Sequence, residues 1–124
     1  MPITMSVDHG RNQVDAVALG RITYGDVEKH LLQERCFKGL AYREFIDARR
    51  AGLAFALYPS EIRQIVALIR SLSNESKFGP TAVLVPNDFA FGIIYMLAIL
   101  VEDVAEIKPF LDEQQAQAWL DSKL

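Results

Sequence analysis

The chain has 124 residues, of which 51% are hydrophobic and 23% are charged, and its formal net charge is −3. This balance is typical of a globular protein and excludes a disordered or collagenous chain. A net negative charge argues against nonspecific electrostatic binding to the phosphate backbone of nucleic acids, so we expect no nucleic-acid partner. At this length we expect residues 1–124 to form a single domain whose core needs neither disulfides nor a structural metal.

The sequence predicts a cytoplasmic protein. Its single cysteine, Cys36, cannot form an internal disulfide, and residues 1–10 lack the basic start and the apolar run of a signal peptide. The longest charge-free segment, residues 89–101, would reach only about 20 Å as a helix that rises about 1.5 Å per residue. The hydrocarbon core of a bilayer is ~30 Å thick, so we expect no transmembrane segment.

The N-terminal third of the chain predicts a hairpin followed by a helix. Residues 3–8 alternate apolar and polar side chains, and residues 13–19 form a second strand-like run after a turn signal. Thr23 stands three residues before Asp26, a spacing typical of a helix N-terminus. The apolar period that follows predicts a helix ending near Cys36.

The middle of the chain predicts a strand and an amphipathic helix. Residues 41–48 alternate in a mixed pattern that predicts a third strand without fixing its buried face, and we expect a bend at 49–52. The apolar residues 53–58 are compatible with either a strand or a packed loop. Pro59 and Ser60 mark the start of a helix, because proline is favoured in the first turn. The apolar residues of this helix recur with a helical period: Ile62, Ile65, Val66, Ile69 and Leu72.

The last third of the chain predicts two further strand–helix pairs. Residues 81–85 are nearly all apolar and rich in β-branched side chains, which is typical of a central strand buried on both faces. Residues 86–88 end this strand and cap the charge-free helix 89–101. Residues 106–111 predict an edge strand, since their proline cannot donate a ladder hydrogen bond. Asp112 opens the last helix with a pattern that resembles a capping box.

The predicted order ββαβαβαβα indicates an α/β fold. We expect a four- to five-stranded, mainly parallel sheet with an antiparallel N-terminal hairpin strand, flanked by about four helices. Ligands of such sheets usually bind at the carboxyl ends of the strands, where helix N-termini present free N–H groups. The candidate ligand-binding residues at that edge are Asp47, Arg49, Arg50, Ser60 and Asn87.

Two features of this edge each leave two interpretations open. Arg49 and Arg50 could form an anion pocket with the helix start at Asn87, or they could be an ordinary solvated pair. Ser60 could carry a phosphate that the helix dipole stabilises, or it could act only as the N-cap of its helix.

The order of elements and several short segments resemble the SpoIIAA-like, or STAS-like, domains, in particular the small stand-alone bacterial proteins that share the anti-sigma factor antagonist fold. The segments that carry the resemblance are 20–23, 45–49, 85–92 and 112–120. The resemblance implies a four- or five-stranded sheet flanked by helices, and a role in protein–protein regulation or ligand sensing. Antagonists of this family carry a phosphorylatable serine or threonine after the aspartate of the third strand. Here Asp47 is followed by Ala48 and two arginines, so the resemblance implies that this switch is absent.

No group of residues predicts catalysis, and we expect neither an enzyme nor a metal or cofactor. His9 and His30 have no second histidine or cysteine at metal-ligand spacing. Cys36 has no visible histidine partner, so it is expected to be a buried structural thiol. Glu102 and Asp103 are neighbours in a loop and should point apart into water.

The charge-free helix 89–101 is the most informative segment of the sequence. With residues placed 100° apart, one side carries Phe89, Ile93, Met96, Leu97 and Leu100. The other side carries Phe91, Ile94, Tyr95 and Ala98. One side should cover the sheet, and an exposed second side would be apolar enough to mark an interface. We therefore predict a contact through the second set, while burial of this helix by loops or by the last helix is the alternative.

The favoured hypothesis is a non-enzymatic bacterial regulatory or protein-interaction module that forms a homodimer or docks a protein partner. The alternative is a carrier or sensor of a small apolar or anionic ligand, bound at the carboxyl ends of the strands.

Overall fold

The structure of the protein, a computed structural model, describes residues 2–34 and 42–123. Within these residues the strands are β1 (Ile3–Asp8), β2 (Gln13–Ile22), β3 (Arg43–Leu53), β4 (Thr81–Leu84) and β5 (Ile107–Phe110). The helices are α1 (Tyr24–Glu34), α2 (Pro59–Ser73), α3 (Asp88–Leu100) and α4 (Glu113–Asp121). The predictions that concern Cys36 and Ala41 lie outside the described residues.

The five strands form one sheet in the order β1-β2-β3-β4-β5. β1 and β2 are antiparallel, with Ile3 opposite Ala18, and the other neighbouring pairs are parallel. The turn between β1 and β2 includes Asn12 at φ 52°, a left-handed conformation that asparagine tolerates better than most residues. The predicted α/β fold, with its mainly parallel sheet and N-terminal hairpin, is confirmed.

β2 and β3 are longer than predicted, and the bend expected at 49–52 is wrong. After a register shift beyond Val17, pairing continues from Leu19 opposite Arg50 to Ile22 opposite Leu53. Gly20 supplies the left-handed conformation, φ 70°, that this irregular part of the ladder requires. The two extensions stabilise each other through hydrogen bonds that no local turn signal reveals. The chain then forms a short 3-10 helix, Ala54–Leu57, so the segment 53–58, left open between strand and loop, is not a strand beyond Leu53.

Each face of the sheet packs against its own set of helices. α1, α2 and α3 cover one face, where the buried core includes Ile65, Ile69 and Leu97. α4 covers the other face, where Leu84 packs with Leu120. β4 contributes side chains to both cores, which confirms the prediction that it is a central strand buried on both faces.

The predicted helix starts are capped by side chains at three positions. The capping hydrogen bonds run from Asp26 N–H to Thr23 Oγ1 (3.3 Å), from Ala90 N–H to Asn87 Oδ1 (2.9 Å) and from Gln115 N–H to Asp112 Oδ2 (2.8 Å). Each satisfies one of the backbone donors that a helix leaves free at its N-terminus.

The interpretation of Ser60 as an N-cap is wrong. α2 begins at Pro59, and the N-cap residue is Tyr58, which makes no side-chain capping bond. Ser60 is therefore the second residue of the helix. The reason is that proline takes the first helical position, where its missing N–H costs nothing.

Candidate functional site

A cluster of charged side chains lies at the carboxyl end of β4. Asp47 is level with Leu84, the last residue of that strand. Arg49 donates to Asp47 from Nε to Oδ1 at 3.0 Å and from Nη2 to Oδ2 at 2.8 Å. Its Nη2 also donates to Glu113 Oε1 at 2.9 Å. The hydrogen bond from the Arg49 side chain lowers the pKa of Asp47, and this effect outweighs the partial burial that raises it. One guanidinium therefore already serves two carboxylates.

The five predicted ligand-binding residues are only partly brought together. Asp47, Arg49 and Arg50 line an open pocket with three residues of β2, and neither Ser60 nor Asn87 is among its described lining residues. Asn87 instead uses its side-chain oxygen to cap α3. An anion in this pocket would meet Arg50 and a second guanidinium whose charge is offset by its two carboxylate partners. The geometry supports an ion-pair cluster more directly than an anion site.

α3 buries one side and exposes the other. Ala90, Ile94 and Leu97 belong to the core between the sheet and the helices. The prediction that Ile94 lies on the exposed side is wrong, since this side chain is only 8% exposed. The charge-free sequence offers no polar stripe to orient the helix, so the wheel alone could not separate its two sides.

The other three predicted contact residues differ in their exposure. Tyr95 is 54% exposed, whereas Phe91 and Ala98 are half-buried at the border of the core. The Phe91 and Tyr95 rings stack, with their centroids 6.4 Å apart. Their role in an interface stays a prediction.

The exposed side of α3 is apolar along its length. We call it the α3 face, and its large members are Phe89, Tyr95, Met96, Ile99 and Leu100. Gly92 lies among them on the helical wheel. The helix and its C-cap contain no charged residue between Asp88 and Glu102. A Cβ atom added to Gly92 would meet no atom within 4 Å beyond its chain neighbours and the backbone of its own helix, so packing within this chain leaves room for alanine there.

A cavity of about 140 Å³ lies on the inner side of α3, between the sheet and α1, α2 and α3. Its wall is almost entirely apolar, and the polar residues among its described lining residues are His30, Glu44 and Thr81. His30 Nε2 lies 2.7 Å from Glu44 Oε2, and the two side chains are 5% and 3% exposed. A hydrogen-bonded pair so deeply buried inside an apolar wall is unusual, because histidine and especially glutamate are seldom fully buried.

The sequence alone predicts no metal site at His30, and it places Glu44 on the same side of the third strand as Ile46 without showing that this side is buried. The sequence does indicate that His30 faces the core, because Val27, His30 and Leu31 have the spacing of residues on one side of a helix. Glu44 likewise alternates with Ile46, which packs against the core. A histidine and a glutamate at two core-facing positions would have predicted a buried pair.

Two further kinds of site are not found in the described part of the chain. In residues 2–34 and 42–123, no three side chains from histidine, cysteine, aspartate and glutamate come together to hold a metal ion. No helix in those ranges is long and apolar enough to span a membrane.

The chain is an α/β protein with the SpoIIAA-like fold. It is similar to an uncharacterised protein of the DUF3478 family with a SpoIIAA-like fold from Shewanella loihica PV-4, with a TM-score of 0.57 and 18% identity over 95% of this chain and 93% of that one. It is also similar to the anti-sigma factor antagonist SpoIIAA in its unphosphorylated form, with a TM-score of 0.53 and 12% identity over 96% and 97% of the two chains. No protein-family model and no curated protein matches the sequence. At these identities the likeness confirms the fold that the resemblance implied.

Proposed function

We propose that this protein is a regulatory protein-interaction module that forms a homodimer through the α3 face. The observation that carries the proposal is the exposure of five large apolar side chains on one charge-free helix surface. Monomeric soluble proteins rarely leave large contiguous apolar patches in water, and such patches commonly mark interfaces. The shared fold with an anti-sigma factor antagonist supports a regulatory class and gives no support to an enzyme.

A second copy of this chain is the partner that the charges favour. In a two-fold dimer the same surface lies on both sides of the contact, so each charge near the axis faces its like. The chain has a net charge of −3, and an unselected patch of its surface would bring carboxylates together. The α3 face avoids this repulsion because its nearest sequence neighbours with charge, Asp88 and Glu102, stand beyond the two ends of the apolar run.

Gly92 supports a close helix-to-helix contact. Glycine in the middle of a helix costs about 0.5–1 kcal/mol relative to alanine. The surroundings of Gly92 within this chain leave room for the Cβ atom of an alanine. A second helix that crosses near Gly92 would explain why glycine stands there, because the absence of a side chain lets two helix backbones approach closely.

We further propose that a phosphoserine directly after β3 does not control the module. Residues 48–58 contain no serine or threonine, and the first one after Asp47 is Ser60. Ser60 lies in the first turn of α2, beyond the extended β3 and the 3-10 helix. Regulation would therefore act through the contact itself.

Binding of a small anionic or apolar ligand at the strand ends is the second candidate. The open pocket around Asp47, Arg49 and Arg50 supports it. The bidentate bond between Arg49 and Asp47 weakens it, because an incoming anion would compete with a carboxylate already in place.

The native mass across a concentration series tests the proposed dimer. Light scattering should give twice the chain mass for the wild type, and the double variant Tyr95→Glu, Ile99→Glu should give the chain mass. Both replaced side chains are exposed, so the variant should still fold. Leu57→Glu is the matched control, since Leu57 is 70% exposed and lies on the 3-10 helix, outside the α3 face.

A wild type that stays monomeric at every concentration would overturn the homodimer. A dimer that survives the α3 substitutions but dissociates with Leu57→Glu would place the contact elsewhere. Retention of helix and sheet signals by circular dichroism separates loss of the contact from loss of the fold.

A further inference from the structure

The cavity behind α3 has the size and lining of a binding site for one small molecule. Its volume is about 140 Å³, and the described residues around it include side chains of α1, α2 and α3 and of the strands β2, β3, β4 and β5. Apolar cavities of about 150 Å³ in proteins accept ligands of the size of benzene. A fatty acid or any other long-chain lipid is too large for this volume.

The chemistry of the wall restricts the ligand further. The side chains that face the cavity include Ile22, Leu53, Phe55, Ile65, Ile69 and Val83. A charged molecule would lose its hydration against such a wall and gain little in return. The wall therefore suits an uncharged and mainly apolar molecule.

The His30–Glu44 pair supplies a polar point in the wall. Its two side chains lie at the cavity on α1 and β3 and are joined by a contact of 2.7 Å. Thr81, on β4, is the third polar residue of the wall, and its hydroxyl donates to Gly79 O at 3.2 Å. Few, fixed polar groups in an apolar pocket are the usual means of orienting a small ligand. A ligand hydroxyl placed beside the carboxylate would donate a hydrogen bond that an all-carbon ligand cannot make.

We infer that the cavity binds a neutral molecule of about one aromatic ring that carries a single hydroxyl group, with the hydroxyl directed to the His30–Glu44 pair. The site is independent of the proposed homodimer. The cavity contacts the inner residues Ile94 and Leu97 of α3, whereas the proposed interface uses the outer residues.

Phenol, benzene and benzoate are the probes that test this inference on the full chain. Methyl NMR titrations should show phenol and benzene shifting the signals of Ile65 and Ile69, which line the cavity. Phenol should bind about five- to tenfold more tightly than benzene, the ratio expected for one net hydrogen bond. Benzoate, which carries a charge, should produce no shift at these methyl groups.

Variants locate the site and separate the hydroxyl contact from the cavity. Ala105→Leu places extra carbon atoms in the cavity and should abolish binding of both rings, with Ala18→Val as a second filling variant. Ala67→Leu adds the same atoms on an exposed position of α2 and should leave binding unchanged. Glu44→Leu should keep benzene binding and remove the preference for phenol.

Three results would overturn the inference. One is the absence of shifts with both rings in the folded wild type. Another is a set of shifts confined to surface residues or unaffected by the filling variants. A third is equal binding of phenol and benzene, or binding of benzoate as tight as that of phenol, which would remove the role assigned to the buried pair.

Discussion

Arg49 links strand β3 to the start of helix α4. It binds Asp47 of β3 through a fork of two hydrogen bonds and reaches Glu113 at the start of α4. Bidentate guanidinium–carboxylate bonds are stronger and more directional than single ones. The side chain of Arg49 is nevertheless about half exposed, so water screens its contribution to stability. Its measurable effect lies in the titration of Asp47.

We expect Arg49→Gln to raise the pKa of Asp47 toward its ordinary value of 3.8, since the Arg49 hydrogen bond is the main cause that lowers it. A lowered folded-state pKa means that the ionised carboxylate stabilises the fold above its unfolded pKa. That stabilisation is lost as the pH falls through the folded pKa, so the variant should lose less stability on acidification than the wild type. Carbon-detected NMR titration of the Asp47 carboxyl gives the pKa directly.

Arg50→Gln is the control for this titration. Arg50 acts on Asp47 only through charge and is the weakest of the causes, so its removal should move the pKa less. A larger shift from Arg50→Gln than from Arg49→Gln would contradict the assignment of the hydrogen bond as the dominant cause.

The sequence alone predicts the positions of some side chains but not of others. Thr23, Asn87 and Asp112 were predictable as caps because capping depends on residues three positions apart. The contact between His30 and Glu44 joins α1 to β3, and it depends on how the helix packs on the sheet. No local pattern contains that information.

At the scale of elements, α3 combines a packed inner side with the apolar α3 face. Gly92→Ala should have opposite effects on these two roles. In the monomeric Tyr95→Glu, Ile99→Glu background, it should raise the free energy of unfolding by about 0.5–1 kcal/mol, because alanine is the better helix former. In the otherwise wild-type chain it should weaken the dimer, since the added methyl group lies where we propose that the backbones approach. Chemical denaturation gives the free energy of unfolding, and sedimentation equilibrium in the ultracentrifuge gives the strength of the dimer.

Gly25→Ala provides the comparison for this prediction. Gly25 lies in α1, and a side chain there would come no closer than 3.8 Å to Thr23 Oγ1. This substitution should leave the dimer unchanged. If Gly92→Ala stabilises the monomer and has no effect on association, the helices do not cross at this glycine.

The order and type of the elements could be predicted because their signals are local, but the ends of β2 and β3 could not. The sequence around Arg49 and Gly52 has the composition of a turn, yet these residues remain in the ladder with β2. Pairing between strands separated by a helix overrides such local preferences. The orientation of α3 was uncertain for a related reason, since only its packing on the sheet distinguishes Ile94 from Tyr95.

At the scale of the whole molecule, the two faces of the sheet are covered unequally. In the described part of the chain, α1, α2 and α3 cover one face, and this layer contains the cavity on its inner side and the α3 face on its outer side. α4 packs on the other face. The proposed dimer and the proposed ligand site therefore share one layer and use opposite sides of one helix.

A homodimer makes thermal stability depend on concentration. Unfolding of a dimer releases two chains, so dilution favours the unfolded state by mass action. A tenfold dilution corresponds to about 1.4 kcal/mol per dimer, and the unfolding entropy expected for two chains of this length converts this to a decrease in Tm of about 2–3 °C. Scanning calorimetry of the wild type and of Leu57→Glu should show this decrease, while Tyr95→Glu, Ile99→Glu should melt at one temperature throughout the series. A wild-type Tm that does not change with dilution would contradict a dimer coupled to folding, even if the two chains associate at high concentration.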